Sequence, residues 1–195
     1  MTDMPSLQDA FQAFDAYNSK DPNLEELHDK WFPKELLYAE RMSVCLYRYS
    51  PNAAEHVQLA ARCQHIGRWE IPRKDYPMDR NGYLQWRNQL KFHHANITEK
   101  ILLECGYGQD VIESVKFLLL KKELQHNPET QLLEDVICLV FIEFYLEAFS
   151  KQHEEAKVID IIRKTLKKMT PRAISTVLEM PVSVKVRELI GKAAK

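Results

Sequence analysis

At 195 residues, with 45% hydrophobic and 28% charged side chains and a formal net charge of -1, the chain has room for one well-buried core. It lacks the basic excess of a broad nucleic-acid-binding surface, and with only five glycines it reads as a globular, mostly helical protein rather than a disordered or fibrous one. The expectation is a single all-α domain over residues 1–195.

The first residues, MTDMPSLQDA, carry an early acid and no apolar stretch, unlike a secretory signal. Leu7, Phe11, Phe14 and Tyr17 then recur at helical spacing, and the run breaks at Asp21-Pro22. From Pro33 a second helix carries Leu36, Leu37, Ala39, Glu40, Ser43, Val44 and Tyr47, and stops by Ser50-Pro51. A third starts at one of two caps, Ser50 before Pro51 or Asn52 with Glu55 three residues on, and ends near Gly67. On this helix Leu59, Cys63 and Ile66 share one side, while Arg62, His65 and Trp69 share a neighbouring one.

Pro72, Pro77 and Gly82 then mark a loop that is long for a compact domain, and such loops are usually functional or disordered. From Arg62 to Lys91 seven Lys or Arg residues stand against three acids, interleaved with Trp69, Tyr76, Tyr83 and Trp86, a density of aromatics that favours packing. Tyr83 to Cys105 reads as a helix closed by Gly106, with His94 on its apolar stripe and His93 as a flanking residue. Val111 to Leu124 is the next helix. Pro128 to about Phe149, capped by Asn127, is the most apolar one, although Val136 to Ile142 is too short to span a bilayer. Asp135 shares its buried side with Leu132, Leu139 and Ile142, where an ionised carboxylate costs several kcal/mol unless a cation meets it. Further helices are expected from Glu154 to Met169 and after Pro171 and Pro181, and no segment reads as a strand. Cys45, Cys63, Cys105 and Cys138 are widely spaced, which favours free thiols and a reducing, cytoplasmic setting.

With the helices placed, Ala60-Ala-Arg-Cys-Gln64-His65-Ile66-Gly67-Arg68 resembles the His-Asp segment of the HD-domain metal-dependent phosphohydrolases, with Gln64 and His65 where His and Asp stand in that superfamily. Tyr38-Ala-Glu40-Arg41-Met42 resembles the segment of its first histidine, with Glu40 in that place. Glu134-Asp135-Val136 keeps its final aspartate, and the helix from His94 to Leu102 is similar to one that carries a further histidine. The string CQHIGRWEIPRKDYP..R.GYLQWR with the later LLEDVICLVF looks closer still to a family of uncharacterised proteins distantly related to the HD domains. The resemblance covers about residues 35–149 and implies an HD-like multi-helix bundle.

By that resemblance, Glu40, His65, His94 and Asp135 are candidate ligands of a divalent manganese, iron or zinc ion, since all four can donate oxygen or nitrogen. Asp135 could equally be neutralised by Arg62 or Arg68 in a structural ion pair. Gln64 and Arg62 are the candidate catalytic residues, Gln64 by orienting a water or a ligand residue. Arg68, Arg73, Arg80 and Arg87 are candidates for binding phosphate, which a guanidinium fork matches bidentately, though singly each is better read as solvated surface. Two readings follow. One is a divergent HD-type hydrolase of a nucleotide or other phosphoester; the other is a non-catalytic binding or scaffold protein that holds an anionic ligand or partner in the arginine-rich pocket. Neither reading calls for a membrane, and the oligomeric state is not legible in the sequence.

Overall fold

A computed structural model describes residues 5–194, so the expectation drawn from the first few residues lies partly outside the described ones. The architecture is all-α: ten α-helices and one small hairpin among the described residues. No described helix is long and apolar enough to cross a membrane. The chain divides between Glu123 and Leu124 into two compact units.

The first unit begins with α1 (Leu7–Asn18), whose Ala10 and Phe14 are fully buried. A two-stranded antiparallel hairpin follows, β1 (Leu24–Leu27) with β2 (Lys30–Pro33), where no strand was expected. Its strands are short and charged, and its tight turn uses His28 and Asp29 at positive φ, 51° and 61°, in place of the usual Asn-Gly. The hairpin is pinned at its root. The Asp21 carboxylate accepts from the Asn23 backbone at 2.9 Å and from the Glu35 backbone at 3.0 Å, and so caps α2 (Lys34–Tyr49) from outside the helix. Arg41 of α2 pairs with Glu25 of β1.

The third helix, α3 (Glu55–Arg62), packs against α1, α2 and α5 (Gln109–Leu119). Ala60 and Ala61, both fully buried, let these neighbours come close. Neither expected cap is used: the N-cap position is Ala54, with no side-chain bond. The helix also stops at Arg62 rather than near Gly67. Tight turns replace it, with Gln64 N donating to Ala61 O, Ile66 N to Cys63 O and Arg68 N to His65 O. The shared side predicted for Arg62, His65 and Trp69 therefore does not form, because 3.6-residue periodicity ends before it reaches them.

Gly67, at φ +66°, ends this turn and leads into two single 3₁₀ turns, Arg68–Glu70 and Arg73–Asp75. Asp79 then caps α4 (Arg80–Glu104) by accepting from Gly82 N at 2.7 Å, which starts the helix three residues before the predicted Tyr83. The long loop is held by its own side chains. Arg73 donates to the carbonyls of Tyr76 (3.0 Å) and Asp79 (3.2 Å), and Trp86 Nε1 donates to Ile71 O at 2.8 Å.

In the second unit α6 (Pro128–Val140) is capped by Asn127 as expected, its Oδ1 accepting from Glu129 N and Thr130 N. The single long helix predicted here is interrupted by one π-helical segment, Phe141–Tyr145, before α7 (Leu146–Gln152). α8 (Glu155–Leu166), α9 (Pro171–Glu179) and α10 (Val184–Ala193) complete it, and Thr170 and Ser183 cap the last two. The cysteines are free, with Cys45, Cys63 and Cys138 buried.

Candidate functional site

In the first unit the chain brings Glu35, His65, Arg68 and His94 together around two aromatic rings. Glu35 enters from the first turn of α2, His65 and Arg68 from the turns after α3, and His94 from the middle of α4. The Glu35 carboxylate lies 3.4 Å from His65 Nδ1 and 3.7 Å from Arg68 Nε. On the far side of the imidazole, Arg68 Nη1 meets His65 Nε2 at 3.3 Å. A guanidinium only donates, so Nε2 must accept, and the proton of a neutral His65 therefore sits on Nδ1, facing Glu35. Tyr38 stacks on the imidazole, ring centroids 4.0 Å apart at 12°, and Arg68 lies over the Trp86 ring at 4.8 Å, a contact of about 0.5–2 kcal/mol.

His94 is fixed by the same logic. Its Nδ1 donates to the Ile66 carbonyl at 2.6 Å, so its ring is oriented by the backbone of the turn that carries His65, with ring centroids 5.9 Å apart. His93 also holds this turn, its Nε2 lying 3.1 Å from both Gly67 O and Glu70 Oε2, while Tyr17 donates to Glu70 at 2.7 Å. It is more than a flanking residue.

Burial pushes the Glu35 carboxyl up to about 7, although Arg68 and Lys34 pull the other way. Burial first, and then the positive charges of Arg68, Arg87, Lys121 and Lys34, hold His65 well below the usual histidine range. Burial and the neighbouring His65 do the same to His94, against the Ile66 hydrogen bond. Near neutral pH the cluster is thus two neutral imidazoles and a half-ionised carboxyl under several cations.

These shifts carry a pH signature. Below 4.5 Glu35 is protonated in both states; as pH rises the unfolded chain ionises first, so this contribution to stability is lost as pH climbs through about 7. The two histidines work in the opposite sense: neutral in the fold, they leave stability to fall as pH drops below 6.5, where the unfolded chain takes up protons. Glu35→Gln cannot ionise, so relative to wild type its unfolding free energy is expected to gain, on the order of 3 kcal/mol, between pH 4.5 and 7. Urea titrations across that range measure it; a constant difference contradicts the burial of Glu35.

Other predicted site residues stand elsewhere. Glu40 is exposed on α2, on the side away from Glu35. Arg62 forks onto Asp15 of α1 through Nε (2.8 Å) and Nη2 (2.5 Å) and lies over Phe11. Arg73 is the strut of the loop described above, and Arg80 is exposed. Arg87, half-buried on α4, acts on His65 through its charge. Gln64 is 6% exposed, and its Oε1 has no hydrogen-bond partner among the described residues. Asp135 belongs to the second unit. There it is 2% exposed and accepts from Thr170 N (2.9 Å), Thr170 Oγ1 (2.6 Å) and Gln131 Nε2 (3.1 Å). A groove of about 300 Å³ lined by Phe11, Val44, Leu46, Tyr47 and Pro51 contains none of the predicted residues.

The donors do not fit a metal ion. Among the described residues no three His, Cys, Asp or Glu side chains are grouped to hold one. The one lone pair of His65 faces a guanidinium, and the positive charges around that ring oppose a second cation. Glu35, absent from the predicted set, is the carboxylate of this cluster, and periodicity contained the signal: Glu35, Ala39, Met42, Leu46 and Tyr49 lie on one buried face of α2.

Comparison with curated proteins gives no match, and comparison with solved structures gives none either. The family model described as a domain of unknown function, DUF4202, matches residues 8–190, nearly the whole chain and both compact units, and the protein belongs to that family.

Proposed function

We propose that this protein binds a small phosphorylated ligand, a nucleotide or another phosphoester, by holding its anionic group at the Arg68 side of the Glu35–His65–Arg68 cluster. The observation that carries the reading is the charge balance at His65. Arg68, Arg87, Lys121 and Lys34 all act on it, against one buried carboxyl that is itself only partly ionised near pH 7. Such a charge balance favours an anion, and a guanidinium fork suits phosphate oxygens.

Phosphoester hydrolysis is the second reading. It is favoured by the Glu35–His65 pair, a carboxyl raised to about 7 beside an imidazole of fixed tautomer, which is the kind of pair that moves protons near neutral pH. The sequence resemblance to HD phosphohydrolases supports the same chemistry, while the donor set lends no support to its metal dependence.

Thermal shifts with matched compounds, each phosphorylated metabolite or nucleotide beside its dephosphorylated counterpart, test the first reading. Stabilisation by the phosphorylated member alone is expected, with its loss in Arg87→Met. If no member of the panel moves the midpoint, the proposal fails. Phosphate release from the stabilising compounds then decides between binding and hydrolysis.

A further inference from the structure

In a metal-dependent phosphoester site, a divalent cation held by imidazoles and carboxylates supplies the positive charge for the phosphate. Here the corresponding side chains surround a guanidinium. Arg68 has His65 Nε2 at 3.3 Å, the Glu35 carboxylate at 3.7 Å and the face of Trp86 at 4.8 Å. Trp86 is in turn locked by its bond to Ile71 O at 2.8 Å, and Tyr38 stacks on one face of His65. The Arg68 side chain is 23% exposed, so it is not wholly closed off from solvent. A long, flexible side chain loses much entropy when fixed in this way, and a surface arginine with no task would not be held on three sides.

We infer that Arg68 takes the place of a divalent cation in this site: it is the fixed positive charge against which the ligand's anionic group is bound, and binding needs no metal. This rests on the anion-binding reading above and adds the source of the charge. The groups that bear on Arg68 are Glu35 and Tyr38 from α2, His65 from the turn after α3, and His94, Arg87 and Tyr83 from α4, while Lys34 of α2 and Lys121 after α5 act on the adjoining His65. Arg87 adds to its field, and Glu35 is the counter-ion that the incoming anion displaces or shares.

Calorimetric titration of inorganic phosphate into full-length protein stripped with a chelator tests this, with parallel titrations after manganese or zinc is restored and with elemental analysis of tag-free protein. The expected result is binding without metal, unchanged by restoring it, and weakened roughly tenfold to a hundredfold in Arg68→Met. Arg68→Lys, which keeps the charge and loses the fork and the stack, should fall between the two; it serves as the test if Arg68→Met does not fold. Binding that requires added metal, or a stoichiometric metal in the purified protein, overturns the inference and leaves the anion reading standing, whereas wild-type affinity in both variants moves the anion away from Arg68 and overturns both. Absence of phosphate binding in every arm overturns both.

Discussion

Asp135→Ala is expected to destabilise the second unit by about 3 kcal/mol or more, whether or not a chelator is present. The carboxylate is 2% exposed and ties α6 to the start of α9 by accepting from both the backbone N–H and the hydroxyl of Thr170. Thr170 in turn caps α9, its Oγ1 accepting from Ala173 N at 3.2 Å. Removing the carboxylate takes away the acceptor that both Thr170 donors use in a part-buried place and loosens the cap they orient, and each buried hydrogen bond lost in this way costs about 1–3 kcal/mol. Asp135→Asn recovers only part, because its NH₂ group cannot accept from either Thr170 donor. Hydrogen exchange resolves the effect by unit: protection should drop in α6 and α9. Unchanged protection in the variant contradicts the role of Asp135 as a strut.

The second large effect is expected at Gly67. Its φ of +66° is left-handed, and a Cβ there would meet Ile97 Cδ1 at 2.5 Å, His93 Nε2 at 3.2 Å and Tyr17 Cε1 at 3.2 Å. Strain and crowding together put Gly67→Ala at about 2–4 kcal/mol. The site should suffer as well, because Gly67 connects the turn carrying His65 to the one carrying Arg68, and its carbonyl contacts His93. Gly106 is the internal comparison. It has φ +83° with nothing within 4 Å of an added Cβ, so Gly106→Ala should cost only the backbone term, about 1–2 kcal/mol. Equilibrium unfolding of the two variants side by side separates crowding from strain; equal costs would mean that the close packing around Gly67 is not real.

Helix content, order and several caps were legible because each depends on residues close in sequence. Asn127 before Pro128 and Gly106 after Glu104 are local signals, and both elements end where those signals place them. What the sequence hid depends on tertiary contact. The β1–β2 hairpin has no apolar alternation, and it is stabilised at its root by Asp21 and along its length by Arg41. The end of α3 at Arg62 was masked because the apolar spacing of Leu59, Cys63 and Ile66 continues through the turn that replaces the helix; all three are fully buried.

The site was half legible. His65, His94 and Arg68 are where a polar cluster forms, but the family resemblance points to Glu40 and Asp135 for its carboxylates. The helical face of Met42, Leu46 and Tyr49 points to Glu35 instead. A first-turn glutamate is also an ordinary complement to the helix dipole, so the apolar face it shares, and not its charge, is what marks it as buried. The same ambiguity affected the arginines: Arg62 and Arg73 have structural partners in Asp15 and the loop carbonyls, which no charge count along the chain could distinguish from Arg68.

The most direct measurement of the central claim is the nitrogen spectrum of labelled protein during a phosphate titration, following the Arg68 Nε–H and the His65 ring. A neutral His65 with its proton on Nδ1 is expected, with saturable shifts of both Arg68 and His65 signals while the Arg62 Nε–H, bound to Asp15, stays still. Arg68 and His65 signals that do not move at any phosphate concentration, or a His65 proton on Nε2, would contradict it.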